Sequence, residues 1–91
     1  MEIEYDDEKR AITLKERGLD FARAREVFAG VTYSEPDTRK IYPEARTITI
    51  GYLDTRMIVM VWTQRGENRR MISIRKANER EIKKYSGLHR P

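Results

Sequence analysis

The chain has 91 residues, of which 38% are hydrophobic and 37% are charged, and it contains no cysteine. This length supports one domain, spanning residues 1–91, with a single modest core. The absence of cysteine excludes disulfides, thiol catalysis and cysteine-ligated zinc. The net charge of +4 is uneven, since residues 1–37 carry 6 basic and 10 acidic side chains while residues 38–91 carry 13 and 5. This asymmetry fits an acidic partner, and an unevenly charged solvated surface explains it about equally well.

The first 30 residues predict a short strand followed by two helices. Residues 2–5 alternate apolar and acidic side chains, as an edge strand does. Asp6 or Asp7 can cap a first helix that ends at Gly18, and its thin apolar stripe contains Ala11, Ile12 and Leu14. Asp20 can cap a second helix, whose apolar face comprises Phe21, Ala24, Val27 and Phe28.

The segment from residue 31 to residue 45 predicts little regular structure. Residues 31–33 can form a short strand, Pro36 and Asp37 indicate a turn, and Pro43 interrupts any longer element. The same segment carries Arg39, Lys40 and Tyr42. We therefore expect a surface loop that presents cations.

Three strands follow, joined by short turns. Residues 46–52 alternate, with Arg46, Ile48, Ile50 and Tyr52 on one face. Residues 57–62 are apolar throughout, as in a central strand covered on both faces. The third strand covers residues 69–75, and short turns imply an antiparallel meander. We predict an α+β fold in which an N-terminal helical pair and a C-terminal helix pack on an antiparallel β-sheet.

The last strand runs directly into the final helix. Alternation predicts that Arg70, Ile72 and Ile74 share one face of this strand, while Met71, Ser73 and Arg75 share the other. Asn78 can cap the helix, with Glu81 completing a capping box. This junction gathers cations and Tyr85 around one strand end, which is an arrangement suited to phosphates.

Several other site types are disfavoured. The sequence has no phosphate-binding glycine loop and no zinc-ligand spacing. The single histidine, His89, lies near the end of the chain and is a poor candidate for acid–base catalysis. Acidic pairs such as Asp6-Asp7 sit where helix caps belong. The start of the chain is acidic and no apolar run reaches membrane-spanning length, so we expect a cytoplasmic protein with no membrane contact.

The basic second half permits RNA cleavage without a metal or cofactor. The 2′-hydroxyl of RNA is an internal nucleophile placed beside the scissile phosphate. A protein must add positive charge at the developing phosphorane and a proton acceptor and donor. Arginine, lysine and tyrosine can supply these functions. The sequence allows this mechanism without requiring it.

The chain also resembles the BrnT toxins over nearly its whole length. The resemblance is carried by Tyr5-Asp6, Gly18, Phe21 and Val27-Phe28, by Arg46 and Ile50-Gly51, and most specifically by the run from Arg70 to Ala77 followed by Glu81 and Tyr85. It implies a RelE-like ribonuclease fold and a type II toxin that inhibits translation by cutting RNA. It also implies a BrnA-like antitoxin whose ribbon-helix-helix domain binds DNA, so that the toxin meets DNA only indirectly. A homodimer and a toxin–antitoxin hetero-oligomer are both compatible with it.

The resemblance assigns candidate site residues by position. Arg70 and Arg75 would hold the scissile phosphate, Lys76 would steer the backbone, Arg46 would support the site, and Tyr85 would assist proton transfer or orient a base. Further RNA contacts are expected from Arg17, Arg65, Arg69 and Arg80. Arg17 stands where the family has a histidine.

Two other hypotheses remain beside the nuclease. The missing histidine motivates a catalytically weak binding module of the same fold, which would act as antitoxin partner and co-repressor of its operon. An RNA-binding domain without a toxic role would bind RNA in a salt-sensitive way without cleaving it. The nuclease hypothesis requires that the cations of the last strands and closing helix converge on one pocket.

Overall fold

The fold is an α+β arrangement of one sheet with helices, as the sequence predicts. A computed structural model describes residues 2–88, so His89 lies outside the described residues. In chain order the elements are β1 (Ile3–Glu4), α1 (Asp7–Arg17), a 3₁₀ turn (Phe21–Arg23), α2 (Ala24–Ala29), β2 (Tyr33–Pro36), β3 (Arg46–Leu53), β4 (Arg56–Arg65), β5 (Asn68–Lys76) and α3 (Glu79–Lys84). Among residues 2–88, no helix combines the length and apolar composition that crossing a bilayer requires.

The five strands form one sheet in the order β1-β5-β4-β3-β2. Strands β2 to β5 pair antiparallel, with two-residue turns at 54–55 and 66–67 in the last two hairpins. The left-handed conformation of Gly66 and of Asp54-Thr55 matches the strand twist at these turns. β1 pairs parallel with β5, so the prediction of a fully antiparallel sheet is wrong at this edge. A parallel neighbour is possible there because the long segment between the two strands serves as the crossover.

The helix ends follow the predicted caps. The Asp6 carboxylate accepts from the Lys9 N–H at 2.9 Å, and Gly18 ends α1 in the left-handed conformation with φ of 69°. Asp20 caps the second helical segment, which starts as a 3₁₀ turn before it becomes α2. α1 buries none of its residues, so its predicted apolar stripe is not a core face.

β2 lies further along the chain than predicted. The strand covers Tyr33–Pro36 where the sequence indicated residues 31–33 and a turn at Pro36. The Asp37 N–H donates to the Arg46 carbonyl at 2.9 Å, and ladder bonds alternate, so the nitrogen of Pro36 faces away from the sheet. An outer-edge strand tolerates proline at such a position because no donor is lost.

A β-bulge in β5 changes which side chains share a face. Val61 of β4 pairs with Ser73 and Trp62 pairs with Met71, so Ile72 is the extra residue. Met71 and Ile74 consequently lie on the same face and both are buried in one core cluster. The predicted strict alternation is therefore wrong beyond Ile72, and Arg70 and Arg75, predicted on opposite faces, lie on the same one.

The sheet has two different faces, the helix-covered face and the groove face. The helix-covered face packs Ile58, Met60, Met71 and Ile74 under Phe21, Ala24 and Val27 of the 3₁₀ turn and α2. On the groove face, Ile50, Met57 and Val59 pack with Tyr85 and Leu88. β4 is buried on both faces, as predicted for a central strand.

The contact between α2 and β3 depends on one glycine. A Cβ at Gly51 would lie 2.7 Å from Val27 Cγ1 and 3.0 Å from Thr32 Cγ2. Real side chains do not approach this closely, so only glycine allows α2 to lie directly on β3.

Candidate functional site

A groove of about 270 Å³ lies between the groove face of the sheet and α3. Its floor is apolar and its rim carries both cations and acids. The floor residues are Ile48, Ile50, Val59 and Val61, and the rim residues are Glu35, Arg39, Ser73, Arg75, Arg80, Glu81, Lys84 and Tyr85.

The junction between β5 and α3 positions the rim residues that these two elements contribute to the groove. The Ala77 N–H donates to the Met57 carbonyl at 3.0 Å, which extends the sheet ladder one residue beyond β5. Asn78 then starts α3, because its side chain accepts from the Glu81 N–H while the Glu81 carboxylate accepts from the Asn78 N–H. The reciprocal cap turns the chain back across the sheet, so that Tyr85, at the end of α3, reaches the floor.

Arg75 is the central cation of the groove. Its Nη1 and Nη2 donate to the two carboxylate oxygens of Glu81 at 2.7 and 2.8 Å. This pair lowers the pKa of Glu81 to about 2 and raises the pKa of Arg75. Both side chains therefore stay charged and mutually oriented at neutral pH.

Arg46 and Arg70 flank the same position of β4. Each is the cross-strand partner of Thr63, so their Cα atoms lie on the groove face about two strand spacings, or about 10 Å, apart. Arg46 contacts the Glu44 carboxylate at 3.2 Å and stacks on the Tyr42 ring at 4.0 Å. Among residues 2–88, no carboxylate pairs with Arg70 and no acceptor bonds its guanidinium.

Two tyrosines stand at the α3 end of the groove. The rings of Tyr33 and Tyr85 have centroids 5.4 Å apart, and the Lys84 ammonium lies 5.3 Å from the Tyr85 ring centroid. The Tyr33 hydroxyl donates to the Glu35 carboxylate at 3.2 Å, and this hydrogen bond raises the pKa of Tyr33. The groove thus offers hydroxyl groups and a carboxylate beside its cations.

Arg39 is a rim residue that the site prediction missed. Its guanidinium binds the buried carboxylate of Asp37 with contacts of 2.8 and 2.7 Å. This hydrogen-bonded pair lowers the pKa of Asp37 well below its usual range. Arg39 lines the same groove as Arg75 and Glu81. The sequence placed Arg39 only in a cationic loop, because nothing local shows that Asp37 is buried.

Of the eight predicted cations, only Arg75 and Arg80 line the groove. Arg46 and Arg70 lie further along the same sheet face, and the other four lie elsewhere. Arg69 stacks on Phe28 at 4.0 Å on the helix-covered face, and Arg17 donates to the Ile74 carbonyl at 3.0 Å. Lys76 pairs with the core residue Ile58, which places it on the opposite face from Arg75. Arg65 flanks the β4–β5 turn. Arg80 is the one predicted RNA contact that lines the groove.

The helix-covered side has a larger cavity, of about 390 Å³. Its most prominent cation, Arg23, is already held by the carboxylates of Asp54 and Glu26 at 2.6 to 2.9 Å. These ion pairs raise the pKa of Arg23. We regard the groove as the functional site despite its smaller volume, because it combines Arg75 with Tyr85 over an apolar floor, whereas no tyrosine of the described residues lines the larger cavity.

The carboxylates of the described region do not form a metal-binding cluster. Among residues 2–88, no group of three or more histidine, aspartate or glutamate side chains is close enough to hold a metal ion.

Comparison with known proteins identifies the family. The sequence model of the BrnT ribonuclease toxins of type II toxin–antitoxin systems matches residues 5–81. The matched segment contains Arg46, Arg70, Arg75 and Glu81, and Tyr85 lies just beyond it. A comparison with curated protein sequences finds no match. Because the family match covers most of the chain, this protein belongs to the BrnT family of ribonuclease toxins of type II toxin–antitoxin systems.

Proposed function

We propose that this chain is a metal-independent endoribonuclease toxin whose cleavage site lies on the groove face. The observation that carries the proposal is the position of three arginines, Arg46, Arg70 and Arg75, on one sheet face, with Tyr85 lining the groove at the Arg75 end. The fold that presents them is a single RelE-like toxin domain.

The reaction is transfer of the phosphoryl group to the adjacent 2′-hydroxyl. The 2′-oxygen forms a bond to phosphorus as it loses its proton, and the bond from phosphorus to the 5′-oxygen breaks as that oxygen gains a proton. The products are a 2′,3′-cyclic phosphate and a 5′-hydroxyl end. Because both reacting groups belong to the RNA, the protein supplies only charge and proton transfer.

Each step has a candidate group in the groove or on the groove face of the sheet. Arg75 and Arg70 bind the non-bridging oxygens and stabilise the negative charge of the phosphorane. Tyr85 protonates the leaving 5′-oxygen, and the Glu35 carboxylate accepts the proton of the 2′-hydroxyl.

Other cations position the RNA backbone. Arg46 supports the phosphate from the row that it shares with Arg70. Arg39, Arg80 and Lys84 line the rim and contact the flanking phosphates. Lys76, which the sequence analysis assigned to the site, does not belong to the proposed cleavage site because its strand position faces the other side of the sheet.

The biological setting follows from the family. A type II toxin is bound and neutralised by a protein antitoxin. We propose that the antitoxin of this chain is a BrnA-like protein with a ribbon-helix-helix domain. The complex would bind its own operator through that antitoxin. The free toxin would cut RNA in the cytoplasm and thereby inhibit translation.

The test is cleavage of a labelled RNA by the purified chain, freed of its antitoxin, in excess EDTA. We expect cleavage to persist and to leave 2′,3′-cyclic phosphate ends. A matched RNA with a single 2′-deoxy nucleotide at the cut position should resist cleavage there. Loss of activity in EDTA, or equal cleavage at the 2′-deoxy position, would contradict the proposal.

A second candidate is a catalytically weak module that binds and tunes its antitoxin. It is favoured by the carboxylate partners that Arg39, Arg46 and Arg75 already carry. Harmless expression without the antitoxin, together with intact cellular RNA, would favour this candidate over the nuclease.

A further inference from the structure

Glu81 contacts two groups with one carboxylate. Its Oε1 accepts from Arg75 Nη1 at 2.7 Å and from the Asn78 N–H at 2.9 Å, while its Oε2 accepts from Arg75 Nη2 at 2.8 Å. The side chain therefore links the guanidinium of the last strand to the first turn of α3. The Tyr85 N–H donates to the Glu81 carbonyl at 2.9 Å, so Tyr85 sits one helical turn further on.

The ion pair with Glu81 leaves some N–H donors of the Arg75 guanidinium without an acceptor in the described part of the chain. A guanidinium has five N–H donors, and Glu81 takes one from each terminal nitrogen. A further long contact joins Nη1 to the Lys76 carbonyl at 3.4 Å. Among residues 2–88, no acceptor engages the Nε–H or the second Nη2–H. These two donors share one edge of the planar group, which is the edge that binds an anion in a bidentate manner.

We propose that Glu81 is a positioning residue, which holds the Arg75 plane so that its Nε–Nη2 edge and Tyr85 face the same phosphate. This inference rests on the proposed function of the groove. A free arginine side chain loses rotamer entropy when it orders around a substrate, and Glu81 has already ordered it. Misplacement of a reacting phosphate by about 1 Å costs up to about 100-fold in rate.

The opposite role would be inhibition. If Glu81 occupied the phosphate position, substrate would have to displace it, and its removal would raise affinity and activity. The unused edge of Arg75 favours positioning, because a phosphate can bind there without breaking the ion pair. The two roles predict opposite signs, so one variant separates them.

The experiment uses Glu81→Gln in the full chain. Glutamine also serves in a capping box, so α3 keeps its cap while the charged partner of Arg75 is lost. We expect kcat to fall roughly 10- to 100-fold with little change in KM. Glu79→Gln is the matched control, since Glu79 is an exposed acid in the same helical turn, and it should retain full activity.

An NMR measurement reports on the orientation directly. In the wild-type protein, the bidentate pair restricts rotation about the Arg75 Nε–Cζ bond, so we expect separate Nη resonances for this side chain. In Glu81→Gln these resonances should merge while the backbone spectrum of α3 is retained. A merely structural role would alter the helix without this signature.

A double-mutant comparison separates this inference from the proposed function. If Glu81 acts through Arg75, Glu81→Gln should cost little further rate in an Arg75→Lys background. Unchanged or raised activity in Glu81→Gln, with Arg75→Lys impaired, would overturn the positioning role and leave the groove assignment intact. Full activity in Arg75→Lys and Arg75→Ala would overturn the groove assignment itself.

Discussion

The two faces of the sheet use their cations differently. Near the helix-covered face, Arg10 binds Asp20 at 2.7 Å, Arg23 binds Asp54 and Glu26, and Arg69 stacks on Phe28. On the groove face, Arg75 keeps one edge of its guanidinium unused and Arg70 has no carboxylate partner among residues 2–88. In this comparison, the sheet face on which an arginine lies, more than the net charge of its segment, accounts for which of its donors stay unengaged.

The faces also differ in packing. The helix-covered face buries Phe21, Ala24, Val27, Met60 and Ile74 almost completely. The groove face packs against Tyr85 and Leu88, which follow α3, and α3 buries none of its own residues. We therefore expect substitutions on the first face to change stability and substitutions on the second to change activity.

The largest expected effect tests the packed face. Phe21→Ala removes a fully buried ring that also stacks on Tyr5 at a centroid distance of 6.2 Å. We expect the free energy of unfolding to fall by about 3–5 kcal/mol, because the ring leaves a cavity that its neighbours fill only in part. Urea unfolding followed by circular dichroism measures this loss. A change below about 1 kcal/mol would contradict the description of this core.

The next effect tests the groove face. Arg75→Ala should lower kcat roughly 100- to 1,000-fold, which is the range for loss of one donor to a developing oxyanion. Lys76→Ala is its control, because this neighbouring cation faces the other side of the sheet. Initial rates on one RNA substrate, with thermal unfolding measured in parallel, compare the two. Equal losses in both variants would mean that the two faces do not differ as described.

A smaller effect concerns binding. Arg70→Ala should weaken the affinity for an uncleavable 2′-O-methyl RNA about tenfold, since one charge-assisted contact is lost. The slope of log affinity against log salt should become shallower by about 0.7 for one phosphate contact on a single strand. Arg56→Ala removes the same charge beside the cavity of the helix-covered side, and it should leave the slope unchanged. Fluorescence anisotropy at several salt concentrations measures both.

The smallest effect concerns acid stability. The pKa of Glu81 is lowered from 4.5 to about 2 by Arg75, so its unfolded form binds protons at higher pH than its folded form. The stability that this pair contributes is present above about pH 4.5 and is lost as the pH falls toward 2. Between pH 5 and pH 3, Glu81→Gln should lose less stability than the wild-type protein. A larger loss in the variant would contradict the assigned pair.

Local chemistry made much of the fold predictable from sequence. Asp6, Gly18 and Asn78 act as the caps that their residue types indicate. The face of β3 that carries Arg46 was also predicted correctly, since its alternation is unbroken. These features depend on residues close together in the chain, which a single sequence contains.

The remaining features depend on distant contacts. No local signal shows the bulge at Ile72, yet it places Arg70 and Arg75 on one face. Arg17 and Arg69 could not be separated from groove cations by sequence, because their partners, the Ile74 carbonyl and the Phe28 ring, come from distant segments. The structure places Arg75, Arg80 and Tyr85 along one groove, and the site roles predicted for them stay predictions.

The most direct test of RNA binding by the groove face is to map where RNA contacts the sheet. Titration of the ¹⁵N-labelled protein with an uncleavable 2′-O-methyl oligonucleotide, followed by amide and arginine side-chain spectra, reports on both faces in one experiment. We predict that the largest shifts fall on Arg70, Ser73, Arg75 and Tyr85, with small shifts at Phe21 and Val27. Shifts concentrated on α2 and the 3₁₀ turn, with the groove residues unchanged, would contradict the claim that the groove face binds RNA.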